Sequence, residues 1–178
     1  MYIIKTKFKG LKIIQQKRNG DSRGNLRETF RKKIIKWDDL IFDYATTSKK
    51  NVLRGFHFNS KFPQAKYVSV LKGKILDYVI DLRKKSKTFG KSFSIILSEN
   101  NCKSLYIPEG FAHAYYSYAK SNLIYYKLSK YYQPKYENGI IWNDKKLKFK
   151  WPTNRPILAK RDKQWGTFVD FKKKYKGL

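Results

Sequence analysis

Short apolar runs broken by polar clusters dominate the chain from residue 66 onward. "KYVSVLKG" (66–73), "KILDYVIDLR" (74–83), "KSFSIILSE" (91–99), "SLYIPEG" (104–110), "HAYYSYA" (113–119) and "NLIYYKLS" (122–129) are rich in β-branched and aromatic side chains. Runs of this length and composition favour strands. Glycines punctuate them at short, even intervals, at Gly10, Gly20, Gly24, Gly55, Gly73, Gly90, Gly110 and Gly139. Evenly spaced short strands with turn residues between them predict an all-β sandwich or barrel, here a jelly-roll-type antiparallel barrel enclosing a cavity. "LRETFRKKIIKWDDLIF" (26–42) is the best helical candidate, and one or two short helices are expected near the C-terminus. No linker, repeat or low-complexity block divides residues 1–178, which predicts a single domain.

Two histidines fall within predicted strands. His57 lies in "NVLRGFHF" (51–58) and His113 in "YIPEGFAHAYYSY". In a regular strand, alternation would place Leu53, Gly55 and His57 on one face and Arg54, Phe56 and Phe58 on the other. A lone strand histidine is most simply a hydrogen-bonded packing residue. A barrel interior that held His57, Lys66, His113 and the tyrosines of "YYKLSKYY" would instead combine a base, a fixed cation and phenolic proton donors. That set suits proton abstraction beside a carbonyl, with the cation stabilising the enolate oxygen.

Competing chemistries find less support. Two histidines 56 positions apart, with no H-x-H pair, leave a metal site without a third nitrogen ligand. Nothing resembles a nucleophile elbow, and Cys102 stands in the polar stretch "ENNCKS". No glycine-rich phosphate loop precedes a helix.

Composition refines this picture. The net charge of +28 invites a nucleic-acid reading, but 33 of the 41 basic residues are lysine and they are spread along the chain. Recognition of bases and phosphates favours the planar arginine fork, so no specific nucleic-acid partner is expected. The charge would still steer an anionic substrate. One cysteine excludes an internal disulfide and fits a reducing compartment. No apolar run approaches the length of a membrane span, and "MYIIKTKFKG" has no apolar core of the length expected of a signal peptide. A cytoplasmic protein with no membrane partner is the expectation.

An ordered series of motifs resembles the dTDP-4-dehydrorhamnose 3,5-epimerase family of nucleotide-sugar epimerases. It comprises "GDSRGNLRETF" (20–30), "VLRGFHF", "QAKYV", "DLRKKSKTFGK" (81–91), "LYIPEGFAHAY" (105–115), "YKLSKYY" (126–132), "GIIWND" (139–144) and "WPTNRPILAKRD" (151–162). The resemblance implies a cupin-like jelly roll with a few short peripheral helices. It implies no metal and no cofactor, and a homodimer in which the neighbouring subunit helps to hold the substrate. The implied substrate is a nucleoside-diphosphate 4-keto-6-deoxy sugar, whose ketone acidifies the hydrogens at C3 and C5. By the same resemblance, His57 is the general base, Asp162 holds its ring, Lys66 faces the C4 oxygen and Tyr126 is the opposing proton donor. Arg23, Glu28, Arg54, His113, Tyr132, Glu137 and Arg161 are the implied substrate-binding residues.

The segment "FDYATTSKKN" (42–51) departs from the family pattern, because Phe42 and Tyr44 replace a glutamine and an asparagine. Substrate identity is therefore the open element. The alternatives are a single-carbon epimerase or one acting on another nucleotide sugar, such as a GDP-heptose. From other classes come a non-catalytic barrel that binds sugar nucleotides or polyanions, and a salt-sensitive nucleic-acid binder.

Overall fold

A computed structural model describes residues 1–35 and 39–178. Its strands are β1 (Tyr2–Lys5), β2 (Lys12–Gln15), β3 (Arg18–Asp21), β4 (Gly24–Arg27), β5 (Phe42–Lys49), β6 (Leu53–Asn59) and β7 (Lys66–Lys72). They continue with β8 (Lys74–Asp81), β9 (Ser92–Ser98), β10 (Lys103–Ile107), β11 (Phe111–Ser117), β12 (Ser121–Leu128) and β13 (Glu137–Gly139). One α-helix, α1 (Phe168–Tyr175), follows near the C-terminus. Two antiparallel sheets, ordered β1-β2-β10-β7-β12-β5 and β13-β6-β11-β8-β9, face each other as a jelly roll, and β3-β4 forms a separate hairpin.

Side-chain parity builds the space between the sheets. In β12, Ile124, Tyr126 and Leu128 are buried, whereas Ser121 is exposed and Leu123, Tyr125 and Lys127 are only half-buried. In β7, Val68 and Val70 enter the same core, so Lys66 shares their parity. Ile75, Val79, Leu97, Phe111 and Tyr115 meet them from the second sheet. The outer face of that sheet is covered too. Phe56, Phe58, Tyr78, Ile80 and Ala112 pack there with Ile140 and with Phe168 and Phe171 of α1. Every residue of β11 is consequently buried, which explains its unbroken apolar run. Thr167 caps α1 by accepting from the Asp170 N–H at 3.2 Å, while the Asp170 carboxylate accepts from the Thr167 N–H at 2.8 Å.

Two expectations need correction. The expected helix over 26–42 is absent from the described residues: Leu26 and Arg27 belong to β4, Phe42 opens β5, and residues 36–38 lie outside the description. Tertiary partners take the backbone that a helix would need. The Thr29 carbonyl accepts from Gln16 Nε2 at 2.8 Å and from the Tyr67 hydroxyl at 2.5 Å, while Ile35 packs with Tyr67 and Tyr106.

The second correction concerns β6, which does not alternate regularly. His57 pairs with His113, yet Arg54 pairs with Tyr115, so β6 carries one extra residue. The bulge turns both Arg54 and His57 towards the cavity. Gly55 lies within it at φ +117°, and a Cβ there would approach the His113 carbonyl oxygen to 2.5 Å and Ala114 Cα to 2.6 Å. Gly55 is thus a strand residue at a close backbone approach, not a turn marker. Among the described residues no helix is long and apolar enough to cross a membrane.

Candidate active site

A cavity of about 650 Å³ opens between the sheets, walled by β5, β6, β7, β11, β12 and the segment 157–162. That volume suits a small-molecule ligand. His57 reaches it from the second sheet with its side chain 17% exposed, and its Nε2 lies 2.7 Å from Asp162 Oδ1. The Asp162 carboxylate also accepts from Trp165 Nε1 at 3.3 Å and from the Gly55 N–H at 3.4 Å. Burial opposes its charge, but these hydrogen bonds, led by His57, hold its carboxyl below the usual range.

Lys66 and Tyr126 face His57 from the first sheet. Enclosure lowers the Lys66 ammonium below the usual lysine range, against the opposing pull of Glu137 and Asp77. Burial pushes the Tyr126 phenol well above the usual tyrosine value, and Tyr115, Tyr44 and Asp77 push the same way. The phenol is therefore a protonated group, available as a donor at neutral pH. The ring of Tyr44 stacks on that of Tyr126 with centroids 4.9 Å apart and planes at 19°. His113 is 5% exposed and its Nε2 lies 2.8 Å from Asp77 Oδ2. Burial raises the Asp77 carboxyl despite the histidine beside it.

Arg54, Tyr132, Glu137 and Arg161 line the same cavity. Arg54 donates to Ser48 Oγ and to the Thr47 carbonyl, each at 3.2 Å. Glu137 Oε2 accepts from the Tyr132 hydroxyl and from Arg161 Nη1, both at 2.6 Å. Its Oε1 lies 3.5 Å from His57 Nδ1. Nine of the eleven residues anticipated from sequence therefore line one cavity. Arg23 and Glu28 do not. Arg23 stands on the β3–β4 hairpin with its side chain 88% exposed and paired to Asp21, and Glu28 follows the hairpin, paired to Arg31.

Sequence reasoning missed Asp77, Trp165 and Tyr115. Asp77 carried a signal, as an acid in the middle of the apolar run "KILDYVIDLR". Tyr115 bonds to the hydroxyls of Ser48 and Thr46 at 2.9 and 3.1 Å, fixing β5, whose Ser48 and Thr47 accept from the Arg54 guanidinium. Among the described residues no cluster of three or more His, Cys, Asp and Glu side chains could hold a metal ion. Each imidazole has a carboxylate of its own.

An imidazole on one sheet, paired with a carboxylate from the C-terminal segment and facing an enclosed ammonium and a protonated phenol on the other sheet, is the equipment of a proton-transfer isomerase. Residues 5–170 match the family model described as dTDP-4-dehydrorhamnose 3,5-epimerase. The enzyme of that name from Methanothermobacter thermautotrophicus is 36% identical over 169 residues, covering 91% of each chain. The crystal structure of dTDP-6-deoxy-D-glucose-3,5-epimerase from Legionella pneumophila, in complex with dTDP-4-keto-L-rhamnose, is 36% identical. It superposes with a TM-score of 0.88 over 93% of this chain and 91% of that one. A 3′-monoepimerase from Streptomyces bikiniensis, bound to dTDP-quinovose, is 26% identical with a TM-score of 0.89, covering 97% and 90% of the two chains. The chain belongs to the dTDP-4-dehydrorhamnose 3,5-epimerase family.

Proposed function

We propose that this protein epimerises C3 and C5 of a dTDP-linked 4-keto-6-deoxy sugar, converting dTDP-4-dehydro-6-deoxyglucose to dTDP-4-dehydrorhamnose. The observation that carries the reading is the placement of base and acid on opposite sheets. A sugar ring between them would lose a proton to His57 from one face and regain one from Tyr126 on the other. Asp162 holds the His57 ring and stabilises the imidazolium once it forms. The Lys66 ammonium stabilises the enolate oxygen at C4.

Arg54 and Arg161 suit the diphosphate, since each guanidinium can bond two oxygens in one plane. His113, Tyr132 and Glu137 complete the contacts to the substrate. Arg23 and Glu28 do not line the cavity of their own chain. Arg23 is exposed on the β3–β4 hairpin and Glu28 is half-buried just beyond it, a placement that supports a homodimer in which each subunit lends them to its neighbour's nucleotide. The setting we infer is cytoplasmic deoxysugar supply for polysaccharide synthesis, in keeping with a nucleotide-activated substrate and a single cysteine.

Proton NMR with dTDP-4-keto-6-deoxyglucose in deuterated water tests this reading. Loss of both the C3 and C5 signals is expected. His57→Asn should abolish exchange at both carbons, whereas Tyr126→Phe should retain exchange and impair inversion. Normal epimerisation by the asparagine variant would overturn the assignment of the base. Inversion at one carbon only, as named for the similar 3′-monoepimerase from Streptomyces bikiniensis, would appear instead as loss of a single signal.

A further inference from the structure

Tyr126 on β12 stands between two strands, opposite Val68 of β7 on one side and opposite Tyr44 of β5 on the other. The β12–β5 ladder runs without a shift from Ser121–Lys49 to Leu128–Phe42, and both tyrosines line the cavity. Directly opposed residues on neighbouring strands bring their side chains together. Here the two rings lie 4.9 Å apart with planes at 19°, a stacked pair. The His113 ring meets Tyr126 edge to face at 6.0 Å and 66°. Beyond Tyr44 the aromatic row continues to Phe42 at 5.8 Å, and from Phe42 to Tyr131 at 5.8 Å.

Among the described residues, no hydrogen bond reaches the Tyr126 hydroxyl. A phenol that delivers its proton to carbon must keep its O–H free of the chain. Its direction then depends on what packs against the ring. β5 is the last strand of its sheet, so Tyr44 covers the flank of Tyr126 that faces the sheet edge. This cover comes from one of the two departures from the family pattern, a tyrosine in place of an asparagine.

We infer that Tyr44 is a positioning residue for the proton donor, its ring holding the Tyr126 phenol in line with the sugar face opposite His57 and so setting how often an enolate is reprotonated with inversion. The inference rests on the reading of His57 as base and Tyr126 as acid. When His57 takes the proton, the C–H electron pair enters the enolate and the negative charge falls on the C4 oxygen. Two fates follow. In one, the Tyr126 O–H breaks and its proton bonds to carbon from the opposite face, giving inversion. The phenolate then regains a proton from water, and the imidazolium loses one to it. In the other, His57 returns a solvent-derived proton to its own face, giving exchange with retention. Loosening the Tyr126 ring slows the first fate alone and moves the ratio between them. A general loosening of the site would slow proton removal and leave the ratio in place.

Early-time proton NMR in deuterated water with dTDP-4-keto-6-deoxyglucose reads this ratio, as inverted product against substrate deuterated with its configuration retained. Tyr44→Phe keeps the stacked ring and should keep the wild-type ratio. Tyr44→Leu and the strand-compatible Tyr44→Ile remove the ring. In both, exchange should continue while the ratio falls about 3- to 10-fold, the size expected of one aromatic pair. Without substrate, the Tyr126 ring resonances, identified by their loss in Tyr126→Phe, should shift in the aliphatic variants and stay in place in Tyr44→Phe. An unchanged ratio in a folded aliphatic variant would overturn the inference. So would loss of inversion in Tyr44→Phe as complete as in Tyr44→Leu, because the hydroxyl and not the ring would then matter. Absence of any exchange in the wild type would instead overturn the epimerase reading, and the role of Tyr44 with it.

Discussion

Replacing Asp162 by asparagine tests how much of the catalysis depends on one buried carboxylate. Asp162 is 1% exposed, and its oxygens accept from three donors: His57 Nε2, Trp165 Nε1 and the Gly55 N–H. An asparagine amide has one oxygen to offer, so one group must lose. With oxygen towards His57, the amide nitrogen meets the Gly55 N–H, donor against donor. The ring keeps its orientation and loses only the charge, a difference of about 1.5–3 kcal/mol, or roughly 10- to 150-fold in rate. With nitrogen towards His57, Nε2 must become the acceptor and Nδ1 takes the proton, so the cavity-facing base disappears. That tautomer should cost about four orders of magnitude. Either arrangement leaves a buried donor unpaired, costing about 1–3 kcal/mol of stability and lowering Tm by about 2–4 °C per kcal/mol. The assay is the initial rate of deuterium incorporation at C3 and C5, with a thermal melt on the same sample. Exchange within twofold of the wild type would refute the reasoning, because the carboxylate would then neither orient nor stabilise the imidazole.

Lys66→Met should slow exchange roughly 100- to 1,000-fold by removing the cation at the enolate oxygen. It should also raise Tm slightly, since enclosure already disfavours the charged ammonium; a lower Tm would contradict this. Gly55→Ala places its methyl against the backbone of residues 113 and 114. A loss of about 3 kcal/mol in denaturant unfolding is expected. Asp81 is buried, and hydrogen bonds from Arg83, Ser86 and Thr88 outweigh burial to hold its carboxyl below the ordinary value of 3.8. Its folded value is depressed, so its contribution is present above the unfolded value and lost as pH falls through the folded one. Stability should therefore decline below about pH 4, and Asp81→Asn should flatten that part of the Tm-against-pH curve.

The strands from residue 66 to 128 could be read from sequence because Val, Ile and Tyr repeat at sheet spacing between polar breaks. The β3–β4 hairpin could not, since "RNGD" and "GNLR" carry almost no apolar alternation. The segment 26–42 misled because Leu26, Phe30, Ile34 and Ile41 fall at helical spacing, while Gln16 and Tyr67, distant in sequence, claim its backbone carbonyl at Thr29. The family motifs pointed to His57, Lys66, Tyr126 and Asp162, but strand parity alone could not turn both Arg54 and His57 inward. That required a bulge visible only in the pairing of β6 with β11. The contact of Glu137 with His57 joins β13 to β6, and nothing local in either segment announces it.

The C-terminal segment that covers the outer face of the second sheet also delivers Asp162 to the inside. It is stitched to the barrel by backbone bonds from Leu53 to Ile157 at 2.9 Å and from Ile141 to Gly166 at 2.8 Å. It is anchored by Phe168 and Phe171 on the far side of the sheet. His57 and the carboxylate that holds its ring thus sit on different parts of the chain, one on β6 and the other in the C-terminal wrap. Turnover would fail at the temperature where this wrap peels away, even with every strand of the sandwich still paired. Damage to an aromatic side chain on the outer surface would then be felt as a silent base within, and heat inactivation would report on the wrap before it reported on the fold.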